Sequence, residues 1–526
     1  MSVELLGSLP EVTCTQIVLT AILLLLLSVY WYATSYHGVW ERAGIPGPKP
    51  LPFLDHMLEF RRHGVEQTIN KWFKTYGKNV GVYGLHPHRA TLITKDLELA
   101  KQVLVKDFDN FVTRYRPRSS KGSFVDGISS TTDDRWRRHR HVTSPMFTGV
   151  KMKVMLQHIK ASAETLTELI RQCVSKGELI SVKLVASKFS TEVIARVGFG
   201  VQTHAVSKEE SEFAHYARTF VNVSNDGFNK CIDLINHFVP HVLSLMMKVF
   251  PRTDFVNIDS DNYFKTIVTS TIKQRKEEKI KTHAGKVRDM LDLLLETEVA
   301  KDDPRLNDPQ SKALSKDEIV GNSTMLILAG VETVSSALQG ILYCLALNPD
   351  VQLKVLEEID QVIPDGEDLE YEHLSQLKYT EQVINECLRL FPLIIFLMRE
   401  ASETRTYNGV TIPKGAIVTI PINLIMTDPE LWPEPKKFDP ERFTPENKAK
   451  RDPFSYMPFG YGPRICLGQR LAMMELKTIM VYLLKEFRFE LSERTEPKKG
   501  VDIEMETIGG FVLRPVKPVE VEAVPR

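Results

Sequence analysis

Cysteine is scarce in this 526-residue chain: Cys14, Cys173, Cys231, Cys344, Cys387 and Cys466 are the only six, and the two nearest lie 43 positions apart. That spacing excludes a CxxC zinc or redox pair. It also excludes a disulfide-stapled secreted scaffold and suits a reducing compartment with free thiols. Net charge is lacking too, with 67 Lys+Arg against 67 Asp+Glu and a pI near 7.2, which argues against a general binder of nucleic acid. Glycine and proline, at 28 and 29 residues, are too few for a collagen-like or linker-dominated chain. No G-x-G-x-x-G follows an apparent strand, so no nicotinamide or flavin site is evident. What remains is the composition of an ordinary folded protein, 43% hydrophobic and 25% charged, long enough to bury a large core and enclose a cofactor.

Charged side chains vanish altogether between Glu11 and Glu41. Inside that gap residues 17–33 are almost wholly apolar, centred on Ile22 and five consecutive leucines. About 20 such residues span a bilayer core. The pattern predicts a transmembrane helix over about residues 12–36, within an anchor of residues 1–40. A cleaved signal peptide fits less well, because no basic n-region precedes the run. Glu4 and Glu11 come before it and Arg42, Lys49, Arg61 and Arg62 after it, so the positive-inside rule places the N-terminus outside and residues 41–526 in the cytosol. Residues 45–52 carry four prolines, which predicts a stiff, extended hinge. The remainder reads as mainly helical with smaller strand regions near 79–95 and 405–421. In the latter, Tyr407-Asn-Gly-Val410 signals a type I′ hairpin. The charge run at 273–288 reads as a solvated helix and loop. The sequons at Asn222 and Asn322 read as chance matches inside helices.

The sharpest chemical signal is Phe459-Gly-Tyr-Gly462-Pro-Arg464-Ile-Cys466-Leu-Gly468. A lone cysteine sits in a glycine-permitted turn just before an apparent helix at 471–487, where the helix dipole and free N–H groups favour thiolate. One thiolate with no partner at metal spacing suits the axial ligand of a haem iron better than zinc, and Arg464 suits a haem propionate. Read alone, the same cysteine also fits a buried structural thiol beside a turn. A second segment, Ala329-Gly330-Val-Glu332-Thr333, lies on a long helix that opens at a Ser315–Glu318 capping box and stops at Asn348-Pro349. Thr333 can bond back to the carbonyl of Ala329 and bend the helix. Read alone, a small-residue packing notch with a satisfied Thr explains this segment better.

Together these residues resemble the cytochrome P-450 superfamily, a mainly α fold with a smaller β region. All five defining positions of its F-x-x-G-x-R-x-C-x-G loop are present, and the chain is most similar to animal family 3, the drug- and steroid-oxidising branch. Leu388-Arg-Leu-Phe-Pro392 and Asn408-Gly with Ile412-Pro-Lys-Gly415 support that likeness. The resemblance implies haem b ligated by Cys466. Phe459, Gly462 and Gly468 would shape the loop, and Arg464, Trp136, Arg140, Arg114 and Arg399 would hold the propionates. Ala329 and Gly330 would leave room for dioxygen, with Thr333 and Glu332 as the proton-delivering pair. Glu386, Arg389 and Arg442 would form a structural charge network. Ser129, Leu328, Ala329, Ile394, Ile395 and Phe511 would line the substrate pocket, beneath an apolar stretch at 228–251 that dips into the membrane. Arg135, Arg137 and Arg138 would be left to face an acidic electron donor.

The implied activity is insertion of one atom of dioxygen into lipophilic xenobiotics, steroids or other lipids. Electrons would come from NADPH through a separate cytochrome P-450 reductase, with cytochrome b5 as a second donor and no role for nucleic acid. The implied location is the endoplasmic reticulum membrane, single-pass, with the N-terminus in the lumen. Two alternatives stand beside this reading: a thromboxane-synthase-like peroxide isomerase, which needs no NADPH, and a non-catalytic haem sensor, which needs no Glu332-Thr333 pair. Val334 and Met426 depart from the family pattern, and the sequence offers no reason for Met426.

Overall fold

A computed structural model describes residues 13–86, 89–115, 122–206, 211–220, 257–282, 289–498, 501, 503–508 and 512–526. The pocket candidate Phe511, the apolar stretch 228–251 and the sequon at Asn222 lie outside the described residues.

The leucine run forms helix α1, Cys14–Thr34, two residues short of the expected span at each end. Thr13 and Gln16 close a capping box at its start. None of its residues is buried, and its 18-residue window has a mean hydropathy of 2.1. A helix of this length and composition can cross a membrane. Residues 45–50 that follow form neither helix nor turn, and the chain folds back at 51–55, where Asp55 N donates to the Leu51 carbonyl at 2.9 Å. Pro46 accepts a hydrogen bond from Gly81 N at 2.9 Å, so this connector lies along the first strand. Trp40 locks the junction from the other side: it is buried, and its indole Nε1 donates to the Val82 carbonyl at 3.2 Å.

The body is mainly helical. Its principal helices are α2 (Asp133–Thr143), α3 (Gly149–Ser175), α4 (Val182–Phe199), α5 (Lys316–Leu347), α6 (Lys378–Leu390) and α7 (Gln469–Glu486). The 32 residues of α5 extend about 48 Å at 1.5 Å per residue, enough to cross the whole body. This helix is apolar nearly all round, so it packs on several sides, against α4 most extensively and against α6 and α7. It meets the same length and hydropathy test as α1, but half of that window is buried in the protein, which makes it a core helix.

A smaller sheet stands beside the helices. Its strands are β1 (Asn79–His86), β2 (Arg89–Thr94), β3 (Phe396–Glu400) and β6 (Ile417–Pro421), in the order β1-β2-β6-β3. The central contact, β2 with β6, is parallel, and the outer ones are antiparallel. Every residue of β6 is buried, in keeping with its continuous apolar character. Between β3 and β6 the chain makes the expected hairpin, β4 (Arg405–Tyr407) and β5 (Val410–Ile412). Asn408 and Gly409 both have positive φ, 49° and 83°, as a type I′ turn requires.

Candidate haem-thiolate site

The loop before α7 folds back on itself. Cys466 N donates to the Phe459 carbonyl at 2.9 Å, and Gly462, at φ 75°, starts a single turn of 3₁₀ helix ending at Arg464. A Cβ on Gly462 would lie 1.9 Å from the Leu104 carbonyl oxygen, so the backbones meet only because the residue is glycine. At Gly468 no atom lies within 4 Å of the position a Cβ would take. Cys466 itself keeps an exposed side chain.

Four guanidinium groups cluster at this loop, two of them, Arg114 and Arg140, acting on the thiol itself. Arg114 donates to the Arg464 carbonyl at 2.9 Å and Arg140 to the Ile465 carbonyl at 3.0 Å, bracketing the cysteine from its own backbone. Arg464 donates to the Thr131 carbonyl at 2.8 Å and lies over the Trp136 ring, 4.4 Å from its centroid. Arg399, on β3, is fully buried, and one of its η nitrogens reaches the Met398 carbonyl. None of the four pairs with a carboxylate among the described residues. The buried Nε atoms of Arg399 and Arg464 have no hydrogen-bond partner. Burial and the neighbouring cations Arg114 and Arg399 push the Arg464 pKa down to about 8. Burial and Arg114 likewise depress Arg399. Buried cations of this kind need anionic partners. A ligand carrying two carboxylates and a thiol-seeking metal, as haem b does, fits this donor set.

The thiol shows a competition that the sequence alone does not weigh. The N–H groups of Gly468 and Gln469, with Arg114 and Arg140, favour thiolate, as the helix N-terminus suggested. Desolvation by the surrounding protein outweighs them and leaves the Cys466 thiol above its ordinary value in the protein alone, although its side chain keeps exposed surface.

On α5, Ala329 is exposed in mid-helix, and Gly330, Glu332 and Thr333 are half-buried beside it. The Thr333 hydroxyl donates to the Ala329 carbonyl at 2.6 Å. Glu332 has a separate partner: its carboxylate takes an ion pair from Lys183 of α4 at 2.8 Å and a bond from Ser336. Lys183 also reaches Ser335 and Ser336. It lies 149 residues away in sequence, and no local signal pointed to it. Gly330 fits the packing notch that its sequence also allowed. A Cβ there would meet Ile194 Cδ1 at 2.3 Å, so the missing side chain is filled by packing against α4 and serves as a packing notch.

The structural network forms as a buried knot. Arg389 Nε and Nη2 bond both oxygens of Glu386 at 2.7 and 2.9 Å, and both side chains are fully buried. Arg442 approaches Glu386 to 3.4 Å as an ion pair and donates to the Glu434 carbonyl. Arg389 also donates to the carbonyl of Met426 at 2.9 Å. The backbone does this work, so the unusual side chain at 426 is free to pack in the core.

Three further expectations are corrected. Arg138 does not face a partner: it is buried and bonded to Glu318 at 2.7 and 3.0 Å. Arg135 pairs with Glu318 and Asp126, and Arg137 with Asp109 and Asp134, so these cations are compensated within the protein. Ile395 is 1% exposed and packs under the sheet with Ile69, Trp72 and Ile93. Among the other pocket candidates, Ser129, Leu328 and Ile394 are half-buried.

The family profile for cytochrome P450 matches residues 45–520. The chain is 34% identical to cytochrome P-450 3A29 of Sus scrofa over 503 residues, 95% of each chain. It is 35% identical to cytochrome P-450 3A41 of Mus musculus, covering 97% of this chain and 96% of the relative. With cytochrome P-450 3A7 of Homo sapiens it shares 34% over 98% of both. The chain belongs to the cytochrome P-450 family. As a cytochrome P-450 it is a haem-iron oxidoreductase, and α1 fits a membrane anchor ahead of the family domain.

Proposed function

We propose that this cytochrome P-450 is a haem-thiolate monooxygenase of the endoplasmic reticulum membrane. It would act on lipophilic xenobiotics or steroids with NADPH-derived electrons from a separate reductase. The observation that carries the reading is an exposed thiol, Cys466, beside a cluster of four guanidinium groups that form no ion pair with a carboxylate among the described residues. Cys466 Sγ is the residue to ligate the iron. Arg114, Arg140, Arg399 and Arg464 hold the two propionates, with Trp136 stacked under Arg464 to fix its plane. When bound, the haem supplies the iron redox chemistry that places one oxygen atom in a C–H bond.

The protein's own part is binding, shielding and proton supply. The glycine loop would cover the sulfur side, where Gly462 lets the helical backbone at Leu104 close against the loop. Thr333 holds a proton at Oγ1 that now bonds the Ala329 carbonyl and can be offered to a water on the open face of α5. Glu332, tied to Lys183 and Ser336, stands one residue away and keeps partial contact with solvent, with 31% of its side chain exposed. Ser129, Leu328 and Ile394 remain as pocket residues. Cytochrome b5 is the second candidate donor, and the cytosolic face carries the body if the N-terminus is lumenal.

The deciding experiment is the dithionite-reduced carbon monoxide difference spectrum, recorded beside Cys466→Ser. The strongly red-shifted Soret band of thiolate-ligated haem should appear in the parent and vanish in the variant. A band unchanged in Cys466→Ser would remove this reading. NADPH oxidation that requires added reductase then separates a monooxygenase from a peroxide isomerase.

A further inference from the structure

Away from the haem loop two thiols meet in the core. Cys344 lies in the last turn of α5 and Cys387 in α6, 3% and 1% exposed. A Cβ on Gly340 would come within 3.0 Å of Cys387 Sγ. Residues 340 and 344 are one turn apart on the same face of α5. The absent side chain at 340 therefore seats the Cys387 sulfur over the face that carries Cys344, whose thiol it neighbours. A cavity of about 20 Å³ runs beside this contact, with Gly340 and Tyr343 of α5 and Phe391, four residues beyond Cys387, among its walls. That volume holds one water-sized molecule.

We propose that Cys344 and Cys387 form an oxidation site, converted to an intramolecular disulfide by hydrogen peroxide. Peroxide is scarcely larger than water and fits that cavity, which neither cysteine lines directly but which is bounded by Gly340, the residue that seats the Cys387 sulfur. One thiol gives up its proton and attacks a peroxide oxygen; the O–O bond breaks, a sulfenic acid forms and one water leaves. The second thiol then attacks the sulfenic sulfur, forming the S–S bond and releasing a second water. Two thiols lose two electrons and two protons, and one hydrogen peroxide becomes two waters. Burial and the neighbouring thiol hold the Cys344 pKa well up, so the reaction is slower than at an exposed thiol such as Cys14. The bond would fasten the end of α5 to the helix that carries Glu386 and Arg389.

The test uses the full chain in detergent micelles, exposed to graded hydrogen peroxide, quenched, denatured, alkylated and digested without reductant. Mass spectrometry should find a peptide pair linked through Cys344 and Cys387, at least ten-fold above the untreated level and split by dithiothreitol. Cys344→Ser and Cys387→Ser should each lack it. Alkylation of both cysteines at doses that fully oxidise Cys14 would overturn the proposal, as would separate sulfinic acids at the two positions. If a serine variant does not fold, the linkage map of the parent decides alone. The readout is a mass and does not depend on the haem assignment.

Discussion

At Gly462 two physical demands coincide, a φ of 75° and a backbone carbonyl where a Cβ would stand. Neither can relax by rotating a side chain. Gly462→Ala should therefore cost about 3 kcal/mol or more, summing left-handed strain and overpacking. The cost would be read as a lower urea midpoint and loss of the Soret band on purification. Gly468→Ala, at φ −85° with open space around it, should change stability by no more than about 0.5 kcal/mol. Gly330→Ala falls between, because the colliding atoms, Cδ1 and Cγ1 of Ile194, are the outer end of a side chain that can rotate. The motif marks Gly462 and Gly468 alike. Which one the fold depends on is set by Leu104, 358 positions earlier, and so was not legible in the loop.

At the scale of elements, α2 and α5 are joined by one carboxylate. Glu318 reads in sequence as the third residue of a capping box, and it does bond Ser315 N at 2.9 Å. It also binds Arg135 and Arg138 and lies 3.1 Å from His139 Nε2. Burial raises its pKa, but the bonds from His139, Arg138 and the Ser315 N–H outweigh burial and hold it far below the ordinary carboxylate value. The stability it contributes is therefore present above the ordinary carboxylate range and lost as pH falls towards its folded pKa. Glu318→Gln leaves Arg138 buried without a counter-charge and should cost about 3–5 kcal/mol in urea unfolding at neutral pH. Glu486→Gln, which removes the exposed partner of Arg171, should cost no more than about 1 kcal/mol. The helix start was legible because a cap acts over three residues. The node was not, because Arg138 and Glu318 are 180 positions apart.

For the molecule as a whole, the junction between anchor and body carries a second acid-sensitive group. Asp55 accepts from Tyr36 and pairs with His37 at 2.7 Å, just beyond the end of α1. Beside it His56 is buried against Trp72, its Nε2 without a partner, and burial lowers its pKa to about 4. A histidine with a depressed folded pKa stabilises the fold above its ordinary value of 6.5. That stability declines as pH falls from 6.5 towards 4, because the unfolded chain binds the proton more tightly. Between pH 7 and pH 5 the loss should be about 2 kcal/mol. Urea midpoints across that range should show it, and His56→Phe should flatten the curve. An equal slope in the variant would place the acid sensitivity elsewhere.

Local chemistry determined what the sequence alone could announce. The uninterrupted apolar run makes α1, the Ser315 cap and Asn348-Pro349 bound α5, Asn408-Gly409 turns the hairpin, and a single cysteine among glycines marks the haem loop. Each of these signals acts between residues a few positions apart, so the chain carries it without folding. Tertiary structure decided which cations are left without carboxylates, that Gly330 is filled by Ile194, that Glu332 is held by Lys183, and that Cys344 meets Cys387. Those outcomes depend on burial and on partners from distant parts of the chain. Charge compensation and close packing exist only once the helices and the sheet have come together.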